Sequence, residues 1–570
     1  MVSNVGRSTL SAKQARICGE AAAGSGASSP CLEQFLQIGT SGSWTQNMER
    51  DLHSLNRKLK DIPNLMYEAA VLVQDPALGM TQVQWSLLLP HEFFGILFEK
   101  DAVLFSNIFG CKGHVDFWDH AFRIDDPWMR EHPLRHRIAE DPRLVCAYRI
   151  FGDEAGLNKN GDRPLTVLQW HGDGQDRASH SSWNRQIPVF LAPLHVCIEG
   201  ITIPALQEVA AWSFNCLAMG KWPEFDHTGE PFPAASWRGR RAGRDLTSDR
   251  RCGALVGSLG DWKWNVENYM FDSYWATEEI CAYCSAVQGP GHCNFTRFTP
   301  CPPKSNDLYL RSGAARRSPL TRIAGWHLFL VLPDLMHCGP LGACQVLTGQ
   351  CLKDLCDEQV WGDGGGSGGW VQILRIQLAV AFSDFKTFAS ERKLTHSHKR
   401  FTPLRLSLTS LSSFPLLKGK AHNILVVQAW LSMLCVTKSD GTAYSNLRAC
   451  ICTSWDRFFK VLKAAGPELN HAEVAELERQ GLFMFDGWAE AAKQTMAAGR
   501  PAWKLLPKMH LMYHIFQDTI RTRRNPTHQW AFSDEDAMMK IAKVCKGCHG
   551  TSLGKRGLER WILQFFQFIE

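Results

Sequence analysis

Carboxylates that close apolar runs are the residues of this chain best suited to do chemistry. Asp153 follows RLVCAYRIF and Gly152, Asp261 closes CGALVGSLG, and Asp334 closes HLFLVLP, with His337 three residues further on. Open α/β sheets place their chemistry in crevices at strand ends, so acids at several such ends are expected to act together. A phosphodiester is the substrate type that needs them. It is negatively charged and has a poor leaving group, and two divalent cations about 3.5–4 Å apart activate the nucleophile and stabilise the departing oxygen. Mg²⁺, or Mn²⁺ in its place, prefers carboxylate oxygens and keeps several waters, so two or three acids suffice to hold the pair. Asp153 and Asp261 on neighbouring central strands would share the cations. A further acid is available in SDEDAMMKIAKVC, where Glu535 is the candidate.

Each acid also has a plainer reading. Asp153 suits a turn before a hairpin, and Asp261 suits a helix N-cap. Ser533 and Asp536 form an S-x-x-D capping box, which would make the turn around Glu535 acidic for helix stability alone. Asp334 is placed to cap a helix starting at Leu335, with His337 in its first turn. Glycine-aspartate occurs again at Asp162 and Asp173, so the first acid is not uniquely placed.

The elements that would position these acids are read from periodicity and turn residues. Residues 1–42 are small and polar, without an apolar signal segment, and read as a disordered leader. Residues 43–142 carry apolar positions at three and four and read as an N-terminal helical region. RLVCAYRIF (143–151), RPLTVLQW (163–170) and IPVFLAPLHV (187–196) read as a three-strand meander. TIPALQEVAAWSFNCLAMG (202–220) is an amphipathic helix with Pro204 in its first turn. A short strand up to Asp261, the helix-like WNVENYM and the strand HLFLVLPD follow. The first part of a core thus covers 143–341. A helical insertion follows at 342–510, broken by the glycine-rich WGDGGGSGGW and the turn-rich SLTSLSSFPLLKGK. Residues 511–570 return to the core, and the closing FFQFIE reads as mid-helix, an expectation that the polypeptide continues.

The order β-β-β-α-β-α-β resembles the ribonuclease H-like layout, in which three antiparallel strands precede two parallel ones. The expected fold class is therefore α/β, a mixed sheet core interrupted by a large helical insertion. The motifs GDEAG (152–156), GSLGDWKW (257–264), CAYC (281–284), LPDLMH (332–337) and SDEDAM (533–538) resemble, in order, those of cut-and-paste DDE/D transposases. The similar groups are CACTA (En/Spm) and Kyakuja–Dileera–Zisupton, and the resemblance spans about 150–540. It implies Asp153, Asp261 and Glu535 as catalytic acids, Asp334-x-x-His337 as an accessory motif, and DNA at element ends and target as partner. It further implies a nuclear location and is compatible with a homo-oligomer. The residues after Asp261 are Trp-Lys-Trp, where those groups carry small ones. The implied activity is strand cleavage and transfer; the alternative is a catalytically inactive, domesticated DNA- or chromatin-binding protein. An unrelated interaction scaffold is a third reading.

The remaining signals concern metals and charge. The 20 cysteines lack the dense spacing of a secreted disulfide framework, which favours reduced thiols and an intracellular protein. Cys281, Cys284, His292 and Cys293 have spacing suited to a structural Zn²⁺ knuckle within 281–301, against a reading as scattered buried thiols. Cys545-x-x-Cys548-His549 matches the string for c-type haem attachment, but a helix end or a second thiol pair is the expectation. The net charge of +6 is mildly basic, compatible with nucleic acid and not diagnostic of it. Two arginine clusters are candidates to neutralise phosphates: Arg238, Arg240, Arg241, Arg244, Arg250 and Arg251, and Arg521, Arg523 and Arg524. Solvated loop charge is their plainer reading. No apolar run approaches the roughly 20 residues that span a bilayer, so no membrane partner is expected.

Overall fold

The chain is described by a computed structural model, which covers residues 12–40, 48, 51, 65–75, 77–110, 113–157, 164–173, 182–313, 318–364, 368–546, 548 and 552–566. Two compact units share it: residues 1–270, 306–332 and 533–570 form the first, and residues 271–305 and 333–532 the second.

The first unit is a mixed α/β structure. Its strands are β1 (Met66–Asp75), β2 (Gly79–Leu88), β3 (Val145–Gly156), β4 (Pro164–Gly172), β5 (Ile187–Pro193), β6 (Cys252–Gly260) and β7 (Val331–Pro333). Five make one sheet in the order β5-β4-β3-β6-β7. β3 pairs antiparallel with β4 and β4 antiparallel with β5, whereas β3 runs parallel to β6. β5 and β6 are buried along their whole length and β4 at every position but its first. Strands covered on both faces read as continuous apolar runs rather than alternating ones. One covering layer is built from Trp118, Trp128, Met129 and Ile138 against Val145, Ala147, Ala254 and Val256. Elsewhere the ring of Phe214, from helix Thr202–Met219, stacks on Tyr148 of β3 at 5.1 Å.

Three features depart from the expectations. Residues 66–88, read as part of a helical region, form the β1–β2 hairpin, closed where the Asp75 carboxylate accepts from the amides of Ala77 and Leu78. The run Ala69–Val73 is apolar on both faces, so its period was hidden even though every second residue is buried. The leader contains helices Ala12–Gly24 and Pro30–Leu36. The second starts where Ser29 accepts from the Leu32 amide, with Pro30 at its first position. The apolar run 328–332 contributes only the three-residue β7, because Leu328–Leu330 is a 3₁₀ turn in which the His327 ring accepts from the Phe329 amide. The helix expected from MERDLHSLNRKLKDI lies almost wholly outside the described residues, as do Asp162 and His549.

The second unit is helical. Helices Cys344–Asp357, Trp370–Glu391, Ala421–Thr437, Ala443–Ala464, His471–Leu482, Trp488–Ala497 and Pro507–Thr522 make up most of it. It is wider than the expected insertion, since it also takes in 271–305 and runs on to 532. Among the described residues, no helix of either unit is long and apolar enough to cross a membrane.

Candidate functional site: an acidic pocket and a Cys₂His₂ centre

In the first unit, the parallel register of β3 and β6 sets Gly152 opposite Gly260. Asp153 and Asp261 therefore follow at the same level on adjacent strands. The glycines make room for the indole of Trp264: a Cβ on Gly152 would lie 1.9 Å from its Cζ2, and one on Gly260 2.7 Å from its Cε3. The Trp-Lys-Trp after Asp261 is thus matched by the missing side chains beside it. Asp261 also caps helix Trp262–Tyr269, its Oδ1 accepting from the Trp264 amide at 2.6 Å. Its carboxylate acts on Asp153 as a nearby charge, but it is not in the set whose ligand atoms lie within 4.8 Å of one another.

Glu535 arrives on helix Phe532–Cys545, whose acidic first turn divides its tasks. The backbone carbonyl of buried Asp534 accepts from Gln169 on β4 at 3.3 Å, and its carboxylate lies 3.6 Å from the His171 ring. Asp536 accepts from Ser182 at 2.5 Å and pairs with Lys540 at 2.8 Å. No capping box forms, since Ser533 Oγ is buried with no hydrogen-bond partner among the described residues. Held on both sides, the helix brings a Glu535 oxygen within 4.8 Å of Asp153. Asp153 accepts from the Glu154 amide at 2.7 Å. Burial, then the charges of Asp261 and Glu535, push its carboxyl well above the usual carboxylate range. A buried carboxyl crowded by two neighbouring negative charges is what a bound cation relieves. Asp173, the described alternative to Asp153 as first acid, is instead paired with buried Arg149 at 3.0 Å.

In the second unit, Asp334 is a buried cap. Its Oδ2 accepts from the His337 amide at 2.9 Å and lies 2.8 Å from His337 Nδ1, while Oδ1 accepts from the Ala531 amide at 2.8 Å. Asp334→Ala would orphan two amides at about 1–3 kcal/mol each. A loss of roughly 2–5 kcal/mol in urea unfolding is expected.

The same unit holds the more complete ligand set. Cys281 and Cys284 meet His510 and His514, four residues apart on helix Pro507–Thr522, and all four ligand atoms lie within 4.8 Å of one another. The two Nε2 atoms are 3.1 Å apart, and the sulfur–nitrogen separations are 3.2, 3.3 and 3.4 Å. A tetrahedral ion with Zn–N of about 2.0–2.1 Å and Zn–S of about 2.3 Å has edges of roughly 3.3–3.8 Å, so the donors already stand near such spacing. Burial lowers the His510 pKa, favouring the neutral ring that a metal needs. Burial opposes ionisation of Cys281, but hydrogen bonds from Cys284 and the Tyr283 amide outweigh it and bring that thiol below its ordinary value. His292 and Cys293 are not in the set: His292 is exposed, and Cys293 Sγ lies 3.6 Å from Ser285 Oγ. The missed imidazoles had a signal, HLMYH on an apolar-periodic helix, whose spacing puts both rings on one face.

Several arginines of the first cluster have partners within their own unit, whereas the Arg244 side chain is exposed. Arg238 grips buried Glu92 with contacts of 2.5 and 3.0 Å, and Arg241 lies over the Trp237 ring at 4.4 Å and reaches Glu99 at 3.2 Å. Arg240 donates to the Ala235 carbonyl, the Arg244 carbonyl accepts from the Trp222 amide, Arg250 faces Asp245, and Arg251 pairs with Asp249. In the second cluster, Arg521 pairs with Asp518 and Arg523 with Glu468. Arg524 is half-buried. Near the haem-like string, burial pushes the Cys545 thiol up to about 12, the behaviour of a core thiol.

A scan against protein-family models and a search of curated proteins found no match to this chain.

Proposed function

We propose that the first unit is a ribonuclease H-like, two-metal DNA strand-cleaving and strand-transferring domain of the transposase type, with Asp153, Asp261 and Glu535 as its metal-holding acids. The observation that carries this reading is that Asp153, inside β3, and Glu535, from a helix 382 positions later, bring carboxylate oxygens within 4.8 Å of each other, with Asp261 after the parallel β6 near enough to act on Asp153 by its charge. The sheet order, with three antiparallel strands and a parallel β6, supports it. Bound Mg²⁺ or Mn²⁺ would supply nucleophile activation and leaving-group stabilisation. The acids would orient the cations, and the Gly152 and Gly260 backbones, locked under Trp264, would hold two of those acids at one level. In the second unit Cys281, Cys284, His510 and His514 would hold a structural Zn²⁺.

The test is strand cleavage of duplex DNA by the purified chain with Mg²⁺ or Mn²⁺. Metal-dependent cleavage lost in Glu535→Gln supports the reading, and cleavage that survives this change removes it. A second reading, an inactive DNA- or chromatin-binding protein, is favoured by the engagement of Asp261 as a helix cap. Salt-sensitive DNA binding without any cleavage would select it.

A further inference from the structure

A separate cluster in the second unit uses sulfur alone. Cys351 from helix Cys344–Asp357, Cys435 from Ala421–Thr437 and Cys452 from Ala443–Ala464 bring their Sγ atoms within 4.8 Å of one another. All three are fully buried. Core cysteines ordinarily act as small hydrophobes, and such packing needs no charge beside it. Here it has one. Arg448, one turn before Cys452, is also fully buried. Its two terminal nitrogens donate to Glu358 at 2.5 and 2.8 Å, while its Nε has no hydrogen-bond partner among the described residues. An unsatisfied guanidinium N–H in the interior is costly unless an acceptor faces it. Cys351 and Cys452 are within hydrogen-bonding reach of Cys435, and the guanidinium is near enough to interact with it. Gln428 adds a further N–H, 3.4 Å from Cys452 Sγ.

We infer that Cys351, Cys435 and Cys452 form a three-thiolate site for a thiophilic d¹⁰ metal ion, distinct from the Cys₂His₂ centre. Soft thiolates select Zn²⁺ and Cu⁺ over harder ions. Binding displaces the thiol protons to solvent and forms three metal–sulfur bonds with no change of oxidation state. No fourth His, Cys or carboxylate joins the three among the described residues, which suits an ion accepting three-coordinate sulfur.

The test uses the full chain, stripped of metal and titrated with Cd²⁺, whose thiolate charge-transfer absorption grows with the number of sulfurs bound. The wild type is expected to bind two ions through five thiolates, two from the Cys₂His₂ centre and three from this cluster. Cys435→Ala should bind one ion fewer and lose more than half of the absorption. The double variant Cys281→Ser/Cys284→Ser should keep the three-sulfur band, which makes the test independent of how Cys435→Ala folds. A wild type with only two thiolates' absorption, or a double variant with none, overturns the inference. Competition by Zn²⁺ and by Cu⁺ under reducing conditions then identifies which ion the site prefers.

Discussion

Replacing both His510 and His514 by alanine is expected to release one Zn²⁺ per chain and to lower stability by about 5 kcal/mol. Structural zinc contributes apparent free energies of about 10–16 kcal/mol in small peptides that are unfolded without it. The second unit has its own core, including Trp430, Trp455 and Trp488, all fully buried, so only part of that contribution is at stake. For domains of about 150–250 residues each kcal/mol moves the melting temperature by about 2–4 °C. A drop of about 10–20 °C is therefore expected for the variant, and a similar one for the wild type in excess chelator. Tyr283 packs edge-on to His514, and Phe298 lies against Tyr513 and Phe485. Probes in 271–305 should thus report the loss first. Wild type and variant melting together, with no zinc by elemental analysis of either, would remove the metal centre.

Asp153→Asn should have opposite effects on stability and on cleavage. The folded carboxyl is held above its unfolded value, so the folded state binds more protons over that interval. Stability is then fully present below the unfolded pKa of about 3.9 and falls as pH rises through the folded value. Metal-free wild type should accordingly melt lower at about pH 8 than at about pH 5 by more than Asp153→Asn does, with the variant the more stable of the two at the higher pH. Saturating Mg²⁺ should reverse the order, because a ligand at a hundred times its Kd adds about 2.7 kcal/mol to the state that binds it. Cleavage by the variant should fall by at least roughly a hundredfold, the scale for removing one preorganised electrostatic contact. Thermal melts in a pH-by-Mg²⁺ grid check the first effect and single-turnover cleavage the second. A variant that still gains stability from Mg²⁺ as the wild type does would show the cation to bind elsewhere.

What the sequence made legible follows from how local each signal is. β3 to β6 stand out because their apolar runs are bounded by turn residues, and Asp261 comes with them as a strand-end acid; Asp153, expected at a strand end, lies inside β3, which stays paired with β4 as far as Gly156. Glu535 is legible as an acid early in a helix, yet its meeting with Asp153 depends on Gln169 and Ser182 holding that helix, which no local pattern encodes. The CxxC half of the Cys₂His₂ cluster is written in adjacent residues; its imidazoles are not, because His510 lies 226 positions beyond Cys284. Proximity along the chain pointed to His292 and Cys293 instead. The arginines show the same limit. Their charge is plain from the sequence, but the glutamate that Arg238 holds is 146 positions away.

The interleaving of the two units bears on synthesis by the ribosome. Helix Phe532–Cys545 and helix Leu553–Phe565, which packs on β5 and β2, are among the last parts of the first unit to emerge. The imidazoles that complete the sulfur pair of the second unit emerge only shortly before them. Neither unit can reach its finished state while the chain is still short. Throughout translation the nascent polypeptide presents an edge of β5 without its covering helix and a CxxC loop without half its ligands, a long window in which chaperones would be expected to engage it.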